Sequence, residues 1–267
     1  MRNSPWQPTP LIRATIALHI LAIVLVIAEP ALWRWALSAV LANHALLTLL
    51  GLWPRSHWLG SNWTQLPAAA TARNEIALTI DDGPDPIVTP QVLDMLDRYA
   101  TQATFFCVGE KAARYPDLCR EIVQRGHAVE NHTQHHSHHF ALMGRAGFRR
   151  ELQAAQDTLA TITGQRPLFF RAPAGLRNPF LDPVLAQLGL QLASWTVRGF
   201  DTRINDSERI KAKLLGNLCA GSILLVHDGN AARTPGGIPV ILDVIPAVLA
   251  AATAANLRFV TLRHALS

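Results

Sequence analysis

The chain predicts an α/β fold, a distorted seven-stranded (β/α) barrel preceded by N-terminal membrane helices. Three observations predict it. From residue 75 onward, strand-like and helix-like stretches alternate, the pattern of parallel βα units. Seven such strands suit a barrel-like sheet better than an open doubly wound one. Finally, the apolar excess is concentrated in the first 53 residues, in two runs that each approach the roughly 20 residues of a bilayer crossing.

Residues 1–53 read as a membrane anchor of one or two helices. Residues 11–28 are almost wholly apolar, with Arg13 at the edge and His19 within. After Glu29-Pro30 a second run, 35–53, holds only Ser38, Asn43, His44 and Thr48 as polar residues. Tryptophans 33, 35, 53 and 58 stand where interfacial belts form. A signal peptide competes for the first run, but no small-residue cleavage site with a polar mature start precedes the second. The expected location is the cell membrane, taken as a bacterial inner membrane. Arg2 and Arg13 favour a cytoplasmic N-terminus. Two spans would then return the main domain to the cytoplasm and one span would place it outside, so its side stays open. Residues 54–74 mix Pro, Ser, Gly and Asn with an Ala-rich stretch and read as a linker.

In the main domain, residues 75–262, the expected strands are 76–80, 103–108, 128–131, 168–171, 191–196, 222–226 and 258–261. The expected helices are 88–100, 111–125, 145–163, 179–188, 206–219 and 238–255. In the third, Phe148, Leu152, Ala155 and Leu159 recur at helical spacing. Asp243 and Pro246 argue that the apolar last helix packs on the sheet. The formal charge of +5 comes without a Lys/Arg run, which gives no nucleic-acid groove. No G-x-G-x-x-G or Walker lysine loop points to a nucleotide. Cys107, Cys119 and Cys219 are few and far apart, and read as buried structural thiols.

The chemistry gathers at strand ends. Thr79-Ile-Asp-Asp-Gly-Pro84 runs a strand into two adjacent carboxylates. Asp81 and Asp82 repel when both are ionised; a cation relieves that and leaves one free as a base. Glu130-Asn-His-Thr-Gln-His-His-Ser-His-His139 follows the third strand. His132 and His136 are four apart, so one helical turn would align both imidazoles for a divalent metal. His135 and His139 share that spacing, so spacing alone does not choose; His132 lies nearer the strand end. An Asp-His-His set leaves coordination positions open. Arg171, in Phe169-Phe-Arg-Ala-Pro-Ala-Gly175, can hold Asp81 in a bidentate pair. Pro173 and Gly175 shape a tight turn able to aim the Ala174 N–H at an oxyanion. A fourth segment, Ala193-Ser-Trp195 through Asp201, and a fifth, ending in His227-Asp-Gly229, reach the same level.

Together these five segments resemble, in order and spacing, the polysaccharide deacetylases of carbohydrate esterase family 4, over roughly residues 75–262. Thr79 to Pro84 matches T-F-D-D-G-P, and His132-Thr-Gln-His-His136 matches H-[S/T]-x-x-H, which selects His132 and His136. Arg171-Ala-Pro-Ala-Gly175 matches R-x-P-[Y/F]-G with Ala174 in place of the aromatic. Arg198, Asp201 and Thr202 stand at D-x-x-D-W, keeping only the second aspartate. Leu225-Val-His227 matches L-x-H. The resemblance implies Asp81 as base, Asp82, His132 and His136 as ligands of one divalent metal, and Arg171 orienting Asp81. It implies Asp201 tuning His227, His227 as general acid, the Ala174 N–H as oxyanion contact, and Leu225 lining an acetyl pocket, with Pro173 and Trp195 beside the substrate. Zinc is the default ion; cobalt or manganese also suits these ligands. The expected reaction removes N-acetyl groups from amino sugars of an envelope polysaccharide or a lipid-linked glycan, releasing acetate. The competing readings are an inactive carbohydrate-binding domain of the same fold, a deformylase or amidase on another acyl group, and a histidine-rich metal-handling membrane protein.

Overall fold

A computed structural model of the chain describes residues 6–266. It opens with two antiparallel helices, α1 (Pro10–Ala28) and α2 (Trp33–Gly51), joined by a short turn. Thr9 caps α1 and Pro10 occupies its first position, both favoured at helix starts. No α1 residue is buried. It is the one helix among the described residues long and apolar enough to cross a membrane, with a mean hydropathy of 2.5. The second run, expected as a possible second span, forms α2, whose polar residues keep it out of that class. Two of them meet α1: Thr15 Oγ1 lies 3.1 Å from Asn43 Oδ1, and the Nε2 atoms of His19 and His44 are 3.2 Å apart. Arg2, used above for topology, lies outside the described residues.

Residues 54–74 are packed against the domain, although they lack periodicity. Leu59, Leu66 and, in a short helix α3 (Ala68–Ala72), Ala70 are buried, as are Ser56 and Asn62. Trp63 forms a parallel bridge with Ala193, so this stretch covers a sheet edge that would otherwise stand unpaired.

The sheet is parallel, curled and open, with eight short strands in place of seven. These are β1 (Glu75–Asp81), β2 (Thr104–Cys107), β3 (Ala128–Asn131), β4 (Phe169–Phe170), β5 (Gln191–Leu192), β6 (Val197–Arg198), β7 (Ile223–His227) and β8 (Arg258–Phe259). The order is β5-β4-β3-β2-β1-β7-β6, and β8 pairs with the start of β1. Of the expected strand 191–196 only Gln191–Leu192 forms β5, and β6 starts beyond it at Val197. Ala193 and Ser194 still donate to the Phe170 and Trp63 carbonyls, but their own carbonyls accept from the Arg171 side chain.

β1 is wholly buried and faces two environments by its period of two. Leu78 and Ile80 join the core under the outer helices α4 (Val88–Arg98), α6 (Pro116–Gln124), α9 (Ser207–Leu215) and α10 (Val240–Ala254). Ala77 joins the inner cluster that fills the curl, with Phe106, Phe169 and Leu262. The expected helix 111–125 is broken into α5 (Gly109–Arg114) and α6 at Tyr115-Pro116, since proline cannot continue a helix interior. In α7 (Arg145–Thr163), Phe148, Leu152, Ala155 and Leu159 are buried as the spacing predicts. α8 (Leu181–Leu188) completes the set. Cys107 and Cys119 are buried, whereas Cys219 is exposed, contrary to its reading as a buried thiol; it lies in the turn before β7.

Candidate active site

The register sets the level of the site. Asp81 pairs with His227 across β1 and β7, and Asn131 pairs with Phe170 across β3 and β4. Asp82, His132 and Arg171 each follow directly. Carboxyl ends of parallel strands are where such folds gather functional groups. Here they open into a cleft of about 180 Å3, lined by residues that include Asp81, Asp82, His132, His136, Ala174 and His227.

One oxygen organises the first cluster. Asp82 Oδ1 lies 3.1 Å from His132 Nε2 and 3.1 Å from His136 Nε2. The three ligand atoms lie within 4.8 Å of one another. His132 Nδ1 is 2.8 Å from the Arg171 carbonyl. A carbonyl only accepts, so Nδ1 carries a proton, and when the ring is neutral Nε2 offers a lone pair. That lone pair faces a carboxylate oxygen with no proton to share. A cation is the species that satisfies such a group of acceptors, so the donor set fits a divalent metal, and the carbonyl contact is the outer-sphere bond such histidines usually make. Asp82 Oδ2 accepts from Asn230 Nδ2 at 3.0 Å, and its own carbonyl accepts from Lys111 Nζ at 2.7 Å.

The two histidines do not share a helical face. Residues 132–136 form a loop in which Thr133 (φ 67°) and His136 (φ 50°) are left-handed. Asn131 Oδ1 accepts from the Thr133 N–H at 2.9 Å, and Thr133 Oγ1 accepts from the His136 N–H at 2.9 Å. These bonds fold the chain back so that both rings meet, with centroids 4.9 Å apart. His135 turns away to Glu151 of α7 (2.8 Å) and His139 is exposed, which removes the competing pair.

The second cluster is Asp81 with Arg171. Arg171 is fully buried. Its Nη1 donates to Asp81 Oδ1 and Thr79 Oγ1, both at 2.7 Å, its Nε and Nη2 donate to the Ala193 and Ser194 carbonyls, and its guanidinium lies 4.2 Å over the Phe106 ring. The expected bidentate pair is therefore a single-nitrogen contact. The remaining donors are taken by the Ala193 and Ser194 carbonyls, and Asp81 Oδ2 stays out of the pair, 4.0 Å from His132 Nε2.

The third is His227 with Asp201. Asp201 Oδ1 is 2.9 Å from His227 Nδ1, and Oδ2 accepts the His227 backbone N–H at 2.7 Å. One buried carboxylate thus fixes both ring and backbone, leaving Nε2 as the other ring atom able to act. Burial lowers the His227 pKa, but the Asp201 bond and charge, with Asp81 and Asp82, outweigh it and raise it above its ordinary value.

Ala174 and Gly175 follow Pro173 in left-handed conformation (φ 53° and 74°). Ala174 is exposed at the cleft, Pro173 is buried behind it, and Leu225 and Trp195 are buried with cleft-facing surface. Gly229 lets the turn after β7 lie against Asp82: a Cβ there would be 2.2 Å from the Asp82 carbonyl oxygen. Asn230, Lys111 and Thr79 were not anticipated. The cue for Asn230 was its place just beyond the Asp-Gly turn at a strand end; nothing local marks Lys111 or Thr79.

Comparison with known proteins agrees with this architecture. The polysaccharide deacetylase family model matches residues 68–193, which hold Asp81, Asp82, His132, His136 and Arg171 but not Asp201 or His227. A peptidoglycan-N-acetylglucosamine deacetylase of Bacillus cereus is 31% identical over 214 residues, covering 78% of this chain and 75% of the relative. A chitooligosaccharide deacetylase of Azorhizobium caulinodans is 38% identical over 167 residues, 61% of this chain and 78% of its own length. A crystal structure of a peptidoglycan N-acetylglucosamine deacetylase superposes with a TM-score of 0.68 at 28% identity, covering 76% of this chain and 91% of the other. The chain belongs to the polysaccharide deacetylase family.

Proposed function

We propose that the protein is a metal-dependent N-deacetylase that removes acetyl groups from amino sugars of an envelope polysaccharide or lipid-linked glycan and releases acetate. In this reading α1 anchors it in the cell membrane. The observation that carries the proposal is the convergence of three lone-pair donors, Asp82, His132 and His136, beside an independently held carboxylate and an independently held imidazole. A pure binding module has no use for that separation.

A divalent ion, zinc by default, would be held by Asp82, His132 and His136 and would supply Lewis acidity and a lowered water pKa. Asp81 accepts the proton of the attacking water on Oδ2, because Arg171 occupies Oδ1. Arg171 and Thr79 fix the direction of that carboxylate. The left-handed turn at Ala174 presents its N–H to the oxygen on which negative charge develops. His227 Nε2 donates a proton to the departing nitrogen, and Asp201 holds the ring in that orientation and favours its protonated form. Leu225 bounds the space for the acyl group.

Two variants test this. His132→Ala abolishes tight binding of one divalent ion per chain, measured by elemental analysis of purified protein. Asp81→Asn retains the ion and loses about 10²- to 10⁴-fold in acetate release from N-acetylated glycans, the usual contribution of a general base. Unchanged metal content in the first, or undiminished turnover in the second, refutes the assignment.

A further inference from the structure

A groove larger than the catalytic cleft lies beside it. Its volume is about 670 Å3, and Trp195 and Arg198 line both spaces. Its walls carry three cations, Arg55, Arg198 and Lys213, and no acidic side chain. None of the three forms an ion pair with any described residue. Arg198, which replaces an aspartate of the family pattern, is half-buried, and its Nε is buried without a hydrogen-bond partner. Its guanidinium is held between Trp195 and Phe200, 5.4 and 5.2 Å from their ring centroids, and Lys213 Nζ lies 5.4 Å over Phe200. Rings hold these cations in place without neutralising them. The fully buried Arg171, by contrast, lies against Asp81.

The groove also has a direction. Arg55 and Thr196 continue from it into a second depression of about 360 Å3, where Trp53 and Trp58 stand at the foot of α2. The path therefore runs from a polar acyl-cleaving cleft, past unpaired cations, to exposed indoles beside the apolar hairpin. A ligand matching that sequence carries an amino sugar, then an anion, then an apolar chain.

We propose that this groove binds a phosphate or diphosphate ester carried by the amino-sugar substrate, with Arg198, Lys213 and Arg55 as its contacts. Guanidinium groups match phosphate oxygens by shape as well as charge. The proposal rests on the deacetylase reading for what enters the cleft, but the anion site can be tested apart from turnover.

Calorimetry on the full-length protein would compare N-acetylglucosamine 1-phosphate with its neutral methyl glycoside. The phosphate is expected to bind about 10- to 100-fold more tightly, as charge-assisted bonds allow. Arg198→Gln and Lys213→Gln should each reduce that preference. Lys213 is exposed on α9, so its substitution tests the site even if the Arg198 variant does not fold. Equal affinity of wild type for the two sugars, or a preference that survives both substitutions, overturns the proposal. Acetate release with the same pair separates the two readings: binding preference without release from any sugar leaves the groove assigned and removes the deacetylase. A farnesyl diphosphate-linked N-acetylglucosamine distinguishes the source of the phosphate. Tighter binding than the sugar phosphate, lost on Trp58→Ala, indicates a lipid-borne ester. Equal binding indicates a soluble one.

Discussion

The two sides of the cleft are built differently. Asp81 and His227 sit on ladder-paired strand ends, and each is held by a buried charged partner, Arg171 or Asp201. The ligand side is held by loops: Asp82, Thr133 and His136 all have positive φ, a conformation that costs energy for residues other than glycine. Asn131, Thr133 and Asn230 supply the bonds that retain it. The groups proposed to move protons are thus positioned by the sheet and by ion pairs. Groups suited to hold a cation are positioned by local backbone, and by the cation itself when present.

The sharpest way to break this contrast is to remove the cation from the rigid side. Arg171→Met leaves Asp81 buried without its partner and should cost about 3–5 kcal/mol of stability, read by denaturant unfolding. Adding Asp81→Asn should recover part of that loss, since the uncompensated charge is then gone. A cost below about 1 kcal/mol would mean that the pair is not what holds the strand end.

On the same side, Asp201→Asn removes what raises the His227 pKa. As the proposed general acid the group works protonated, so activity is expected to be lost as pH rises through its pKa. The variant's alkaline limb should therefore move to lower pH, along with a fall in kcat of at least about tenfold. An unmoved limb in the pH–rate profile would detach Asp201 from the proton step.

The strand that feeds the ligand loop starts beside a third histidine. His127 is buried, and its Nδ1 accepts the Ala103 N–H at 3.2 Å. Burial lowers its pKa from 6.5 to about 4. It is neutral in the folded state where the unfolded chain is already protonated. Stability from this group is therefore complete above about pH 6.5, falls as pH drops toward 4, and levels below that. The full span is about 3 kcal/mol. His127→Gln should flatten that slope in urea midpoints measured across the window.

The smallest effect belongs to the ligand loops. Asn230→Ala removes one hydrogen bond to Asp82 and should weaken metal affinity about tenfold, the lower end for such supporting contacts, with the fold unchanged by circular dichroism. No change would place the stiffness of Asp82 wholly in its backbone.

Much of this was legible in the order of residues. Strand ends were readable because apolar runs stop at polar groups, as at Asp81 and His227, and helix faces because Phe148, Leu152, Ala155 and Leu159 recur at the right period. The fifth strand is shorter than expected, ending at Leu192, and the carbonyls just beyond it are taken by Arg171, a residue distant in sequence. The helical alignment of His132 and His136 was misread because spacing four suits a folded loop as well as a helix. The packing of residues 54–74 was invisible because they make contacts through single residues such as Trp63, without a repeat.

Sequence alone therefore determined which chemical groups arrive at the carboxyl ends of the strands and in what order, since hydrophobic periodicity is a local property of the chain. The tertiary structure decided which of them meet. Asp82 contacts His132 across 50 residues and Asn230 across 148, and the unpaired cations of the groove come from segments as far apart as Arg55 and Lys213. Such contacts depend on how the sheet curls and which carbonyls are left to accept, and no short stretch of chain encodes that.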